Sequence, residues 1–258
     1  MPGPRDYRAV LIDMDDTLFD HSLTCRDAIG RLRTAEPFLR RRPLDDLWHD
    51  YLRLLNSGPS STGIRAGGVT IDEARVERWR QLARSCGADL VDGESRRISQ
   101  LYRRNYQKLR RAVPGARDLL SRLHRRVKVV VVTNNEVAEQ QEKLAFLGFG
   151  SLVDGMVVSE AVGVAKPDPR IFEAALSTAG VEAEEATMLG DSWAHDIVGA
   201  HGVGVRPVWF NRFALPRPDD LPVAEVRSLR PAAPTEEVLI GGPRTPERIR
   251  RRGPSTAL

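Results

Sequence analysis

The sequence predicts a doubly wound α/β protein with a mainly parallel sheet and an inserted helical unit. Three observations carry that expectation. From about residue 116 onward, β-branched runs alternate with amphipathic stretches, the pattern of strands joined by crossover helices. Val127-Lys128-Val129-Val130-Val131-Val132 suits a strand buried on both faces. Between His21 and about Lys108 the texture differs: there is no long Val/Ile run, Arg, Leu and Trp are frequent, and apolar residues recur three or four apart.

Taken in order, residues 1–6 are an irregular lead-in to a first strand at about 7–13. Helical spacing follows near 23–33, 44–56, 72–86 and 94–108, with Leu47, Tyr51, Leu54 and Leu55 or Val76, Trp79 and Leu82 as apolar faces. Trp at such spacing reads as core, so Trp48 and Trp79 are assigned there. Ser57-Gly58-Pro59-Ser60-Ser61-Thr62-Gly63 is a loop by composition. Pro114-Gly115 closes the helical unit, and a helix at about 116–125 uses Leu119, Leu120 and Leu123. After the second strand, the amphipathic stretch 137–147 ends at Gly148. The third strand spans Gly155 to Ser159. Asp168-Pro169 supplies an N-cap and a first-turn proline for a helix ending at Gly180. Ala186-Thr187-Met188-Leu189-Gly190 is the fourth strand, a short helix lies near 195–201, and Val205 to Phe210 is the fifth. The expected organisation is an α/β core from 1–20 and 109–230, a helical unit at 21–108, and a Pro-, Gly- and Arg-rich tail at 231–258 whose composition predicts disorder. Its basic run, Arg248-Ile249-Arg250-Arg251-Arg252, reads as a solvated tail.

Composition narrows the function classes. The 258 residues are 41% hydrophobic, enough for a packed core, and the net charge is 39 − 35 = +4 with acids and bases interspersed. A nucleic-acid polymer as partner is not expected. Cys25 and Cys86 lack metal-binding spacing, no leader precedes a cleavage site, and no apolar run is long enough to span a bilayer. A cytoplasmic protein without a membrane partner is expected, as monomer or homodimer. The histidines, His21, His49, His124, His195 and His201, show no metal spacing and read as ordinary surface or partly buried residues, although His21 and Phe19 follow the acidic turn closely enough to border a ligand.

The chemistry concentrates at strand ends. Tyr7 to Ile12 runs directly into Asp13-Met14-Asp15-Asp16-Thr17, three acids in four positions, where unpaired buried charge would be costly. Two readings stand: a divalent-cation site, or an exposed acidic turn. The second strand delivers Thr133-Asn134-Asn135, the fourth Gly190-Asp191-Ser192 with Asp196 beyond, and Lys166 precedes the Asp168 helix. Ligands of open α/β sheets bind beyond the carboxyl ends of strands, so these groups converge on one edge. Acids for a magnesium ion, donors for an oxyanion and one ammonium suit phosphoryl transfer. Each also has a structural reading: Thr133 and Asn134 as helix caps, Lys166 as a surface lysine, and Asp196 as a helix-surface acid. The four lysines among 39 basic residues favour a specific need for an ammonium at Lys166.

Asp13-Met14-Asp15-Asp16-Thr17, Thr133 after its strand, Lys166 in Val164-Ala165-Lys166-Pro167-Asp168-Pro169, and Gly190-Asp191-Ser192-Trp193-Ala194-His195-Asp196 resemble the four motifs of the haloacid dehalogenase-like (HAD) hydrolases, in order, over about residues 7–211. The helical insert resembles the α-helical cap of the phosphoglycolate phosphatase-like subgroup, and the sequence looks most like its house-cleaning nucleotidases and N-acylneuraminate-9-phosphatases. The resemblance implies a Rossmann-like HAD core and a Mg²⁺-dependent phosphatase acting on a small phosphorylated metabolite, a nucleoside monophosphate or sugar phosphate, through an aspartyl-phosphate. It implies Asp13 as nucleophile, Asp15 as acid/base, and Thr133, Asn134 and Lys166 as phosphate-binding. Asp13, Asp15 (through its carbonyl) and Asp191 would hold the metal, with Asp196 ordering its surroundings and Thr17 fixing the turn that aims Asp15. Asp16 is expected to face solvent. Asn135 departs from the family's glycine. A haloacid dehalogenase or a non-catalytic HAD-fold binding protein are the alternatives; Asp15 argues against the first and the complete catalytic set against the second.

Overall fold

A computed structural model describes residues 7–57 and 70–241 of the chain. Among these residues, six strands form one parallel sheet in the order β3-β2-β1-β4-β5-β6: β1 Ala9–Ile12, β2 Lys128–Thr133, β3 Gly155–Val158, β4 Ala186–Gly190, β5 Arg206–Phe210 and β6 Ala224–Val226. The expected doubly wound architecture is the one observed. In β1, Ala9 and Leu11 face one side of the sheet while Val10 and Ile12 face the other, so the strand is buried on both faces. Ile12 is level with Val131 on one neighbour and Leu189 on the other. The strand order reverses between β1 and β4, which puts the crevice above the tips of these two strands.

Nine helices are placed around this sheet in the described residues up to Gly202, and a tenth follows β6. Between β1 and β2 lie α1 His21–Ala35, α2 Leu44–Ser57, α3 Ile71–Ser85, α4 Asp92–Leu109 and α5 Ala116–Leu123. The first four build a core of their own, in which Tyr51, Trp79 and Tyr102 pack ring to ring with centroids 5.0–5.2 Å apart. Trp79 is in that core as expected, and Trp48 packs against it partly buried. The segments leading into and out of this helical unit run side by side: Val113 N donates to Leu18 O (2.9 Å) and Asp20 N to Arg111 O (3.0 Å). The loop expected at 57–63 lies, past Ser57, outside the described residues.

Beyond β2 come α6 Val137–Leu147, the single turn α7 Ser159–Val162, α8 Pro169–Ala179, the π turn Trp193–Ile197 and α9 Val198–Gly202. Gly148 ends α6 at φ +64°, and Asp168 caps α8 through Arg170 N (3.0 Å), both as the sequence predicts. The tail differs from expectation. Residues Ala232–Ile240 form α10, with Leu239 and Ile240 buried against α5 and Glu236 bonded to Arg122 (3.2 Å) and Arg126 (2.7 Å). The Pro-, Gly- and Arg-rich composition belongs to the residues beyond Gly241; Ala232–Ile240 itself is mostly apolar, with Ala232, Leu239 and Ile240 on one side of a short helix, and the open face of α5 gives them somewhere to be buried. Strand β6 is also not evident from sequence, being only three residues long with Glu225 at its centre. The basic run at 248–252 lies outside the described residues. No helix among the described residues is long and apolar enough to cross a membrane.

Candidate active site

The strand tips assemble one cluster. Asp13 continues the ladder past β1, its N–H donating to Leu189 O (2.9 Å). Its Oδ1 accepts from Lys166 Nζ at 2.6 Å, and the same ammonium reaches Asp196 Oδ1 (2.6 Å) and Val132 O (2.8 Å). All three donors of the buried Lys166 are therefore used. Carboxylate oxygens of Asp13, Asp191 and Asp196 lie within 4.8 Å of one another. Burial raises the Asp13 carboxyl to about 7, with Lys166 opposing and Asp196 reinforcing the rise. Asp191 is pushed well above the carboxylate range by burial and by the nearby Asp16, Asp13 and Asp196. Lys166 is held above its ordinary value because Asp13 and Asp196 outweigh its own desolvation.

Asp196 reaches this cluster because the chain widens into a π turn after β4. Its N–H donates to Ser192 O (2.8 Å), and Ile197 N also reaches Ser192 O (3.3 Å). Ser192 N donates to Asp196 Oδ2 (3.0 Å), so the carboxylate is fixed at both oxygens. Gly190 makes room: a Cβ there would stand 2.3 Å from Asp196 Oδ2. The surface-acid reading of Asp196 thus gives way to a buried one.

Asp15 has a separate set of partners. Lys143 Nζ lies 2.7 and 2.9 Å from its two oxygens, and Gln140 Nε2 donates both to Asp15 Oδ2 (2.9 Å) and to Thr133 Oγ1 (2.8 Å). Burial opposes its charge, but Lys143 foremost and His21 at 3.9 Å outweigh burial and bring its carboxyl down to about 2. Lys143 also pairs with Glu139 (3.4 Å), which Arg75 holds at 2.6 Å. Lys143, Gln140 and Glu139 carry no sequence motif. Gln140 and Lys143 stand one turn apart on the same face of α6, and the scarcity of lysine that singles out Lys166 applies equally to Lys143.

Two expectations about the first loop are corrected. Asp16 does not face solvent; it is 8% exposed, at φ +62°, and its carboxylate accepts from Ser22 N (2.8 Å) and Ser22 Oγ (2.5 Å) at the start of α1. Free N–H groups of a helix start attract such an acceptor. Thr17 is buried, but its hydroxyl has no hydrogen-bond partner among the described residues, so it does not aim Asp15 through that group. The turn is held instead by Leu18 N and Phe19 N on Met14 O (2.9 and 2.8 Å) and by Asp16 N on Phe19 O (2.7 Å). His21 is likewise more than an isolated histidine, since its Nδ1 lies 2.8 Å from Tyr106 Oη on α4.

The Asn134 side chain clasps the Lys166 backbone, accepting from its N–H (2.7 Å) and donating to its carbonyl (3.0 Å). Asn135 Oδ1 accepts from Glu136 N (2.8 Å). A cavity of about 560 Å³ joins Asp13, Asp15, Thr133, Asn134, Lys166, Asp191 and Asp196 to side chains of α2, α3 and α4. The donor set of Asp13, Asp191 and Asp196 fits a hard cation such as Mg²⁺: it is all oxygen, and its three carboxylates face one ammonium, Lys166, which bonds only Asp13 and Asp196.

The chain belongs to the haloacid dehalogenase-like hydrolases, whose family model matches residues 7–204. It is therefore an enzyme of a hydrolase family. Among its relatives, phosphoserine phosphatase from Thermus thermophilus is 30% identical over 245 residues, covering 86% of this chain and 96% of that one. Glyceraldehyde 3-phosphate phosphatase from Pyrococcus furiosus is 40% identical over 212 residues, 80% of this chain and 81% of that one. In structure, the HAD-hydrolase YfnB from Bacillus subtilis bound to magnesium matches with TM-score 0.70 and 26% identity, over 90% of this chain and 99% of that one.

Proposed function

We propose that this protein is a Mg²⁺-dependent phosphatase that hydrolyses a small phosphomonoester through an aspartyl-phosphate. The observation that carries the reading is the division of the two acids on one loop: Asp13 sits with Lys166 in the three-carboxylate cluster, while Asp15 is held apart by Lys143 and Gln140. The phosphatase relatives support it.

In this reading an Asp13 oxygen attacks phosphorus and the bond to the leaving alcohol breaks, its oxygen taking a proton from Asp15. Asp15 then removes a proton from water, whose oxygen attacks phosphorus and returns Asp13 to a carboxylate. Near neutrality Asp15 is ionised, ready for the second step; a phosphate dianion beside it raises its proton affinity for the first. Lys166 offsets the negative charge of Asp13 and the phosphoryl oxygens, and the Asn134 clasp keeps Lys166 in place. Thr133 and the Asn134 N–H bind phosphoryl oxygens. Asp13, Asp191 and the Asp15 carbonyl hold the metal, with Asp196 ordering its surroundings; a bound magnesium supplies electrostatic stabilisation of the phosphoryl oxygens. Among the described residues, we assign 7–20 and 109–240 as the core, which thus extends past the expected 230 to include α10, and 21–57 with 70–108 as a helical cap over the site. The cavity volume suits a metabolite-sized ligand.

The test is hydrolysis of p-nitrophenyl phosphate with magnesium. Wild-type protein turns it over and Asp13→Asn does not. Equal rates for the two would refute the nucleophile, and insensitivity to chelator would refute the metal. Halide release from 2-chloropropionate without phosphatase activity would mark a dehalogenase instead.

A further inference from the structure

The loop after β5 carries two large apolar side chains at the cavity. Phe213 and Leu215 are 41% and 56% exposed, and both line the same cavity as Asp13 and Asp15. Isolated apolar residues on a surface are ordinary, but this pair is held out by a built loop. The buried Asn211 side chain donates to Leu215 O (2.9 Å) and Glu225 Oε1 (3.1 Å) and accepts from Leu215 N (2.8 Å), while Ala214 N donates to Asn211 O (3.2 Å). Between the two apolar residues, Ala214 stands at φ +52°, a conformation unfavourable for an alanine and tolerated only where its surroundings enforce it. Arg212 lies over the Phe213 ring, 4.5 Å from its centroid, and bonds Asp20 (2.5 Å) at the base of α1, tying the loop to the start of the helical unit.

We propose that Phe213 and Leu215 form an apolar rest for the leaving group of the substrate, and that the preferred substrates are phosphomonoesters whose alcohol carries an aromatic or apolar face. This rests on the phosphatase reading above. Leu52 and Leu55 of α2 line the same cavity and extend its apolar surface. Of the arginines in its wall, Arg75 is paired with Glu139 (2.6 Å) and Arg110 with Glu142 (2.7 Å), Arg78 lies over the Tyr51 ring, and Arg103 is exposed on α4.

Binding of phenylphosphonate and methylphosphonate, measured by calorimetry with magnesium present, tests the proposal, because the two probes share the phosphate mimic and differ in the apolar group. Wild-type protein binds the phenyl compound about tenfold more tightly, the scale expected for burying a ring face. The double variant Phe213→Ser/Leu215→Ser brings the ratio below about twofold, and Phe213→Leu retains most of it. An unchanged ratio in the double variant, or no preference in the wild type, overturns the proposal. If the double variant binds neither probe, the single variants Phe213→Ser and Leu215→Ser give the ratio, with the same outcomes for and against. Failure of the phosphatase reading shows separately, as wild-type protein that discriminates the phosphonates yet does not hydrolyse p-nitrophenyl phosphate.

Discussion

Lys143→Met removes a buried ammonium and keeps most of the side-chain volume, so it isolates the charge pairing that holds Asp15. In the wild type the Asp15 carboxyl stands at about 2 against an ordinary 3.8, with the side chain 24% exposed. That lowering, the net of its partners against burial, is worth on the order of 2 kcal/mol of stability at neutral pH. For a chain of this size the loss lowers the melting temperature by about 5–10 °C. Because the folded carboxyl lies below its unfolded value, the contribution is complete above about pH 4 and fades as pH falls toward 2. Lys143 is shifted upward by Asp15 and Glu139 against its own desolvation, so its side of the pair is complete below 10.5 and is lost only above that. In the variant burial is less opposed and the Asp15 carboxyl moves up, so the deficit is greatest at neutral pH and shrinks on acidification as Asp15 takes up a proton. Scanning calorimetry of wild type, Lys143→Met, Asp15→Asn and the double variant closes a cycle whose coupling is ~2 kcal/mol. Coupling below ~0.5 kcal/mol, or a deficit that grows on acidification from pH 8 to pH 5, would refute the pairing.

Gly190→Ala places a methyl where Asp196 Oδ2 now stands, so it displaces Asp196 from Lys166 and lowers phosphatase turnover by at least about tenfold, with folding followed by circular dichroism; wild-type rates would show that the site does not depend on Asp196. Millimolar magnesium raises the melting temperature of the wild type by several degrees and that of Asp191→Asn by much less, a difference that differential scanning fluorimetry reads without any activity. Leu239→Ala, at a fully buried position of α10, costs about 2–5 kcal/mol in urea unfolding; a change under about 0.5 kcal/mol would mean that α10 adds nothing to the core.

Much of the site is legible in the sequence because strands and their tips leave local marks. A β-branched run followed at once by acids, or by Thr-Asn, announces a strand that ends in functional groups, and parallel topology then brings Asp13, Thr133 and Asp191 to one edge. Asp168 and Gly148 are equally readable, since capping is a property of a few neighbouring residues. The fate of a charge is different, because it depends on what lies across the fold. Asp16 looks like an exposed acid until α1 presents Ser22 to it, and Lys143 looks like a surface lysine until Asp15 stands 2.7 Å away, 128 residues distant in sequence. Composition likewise hides α10, whose apolar side has meaning only against α5. The sequence by itself determined five strands of the sheet, the order of elements along the chain and the kinds of group at the strand tips, since these follow from periodicity and short-range sterics. Only the tertiary structure decided which carboxylates share Lys166, which one belongs to Lys143, and which loop shows Phe213 and Leu215 to the cavity, because those outcomes depend on burial and on partners distant in the chain.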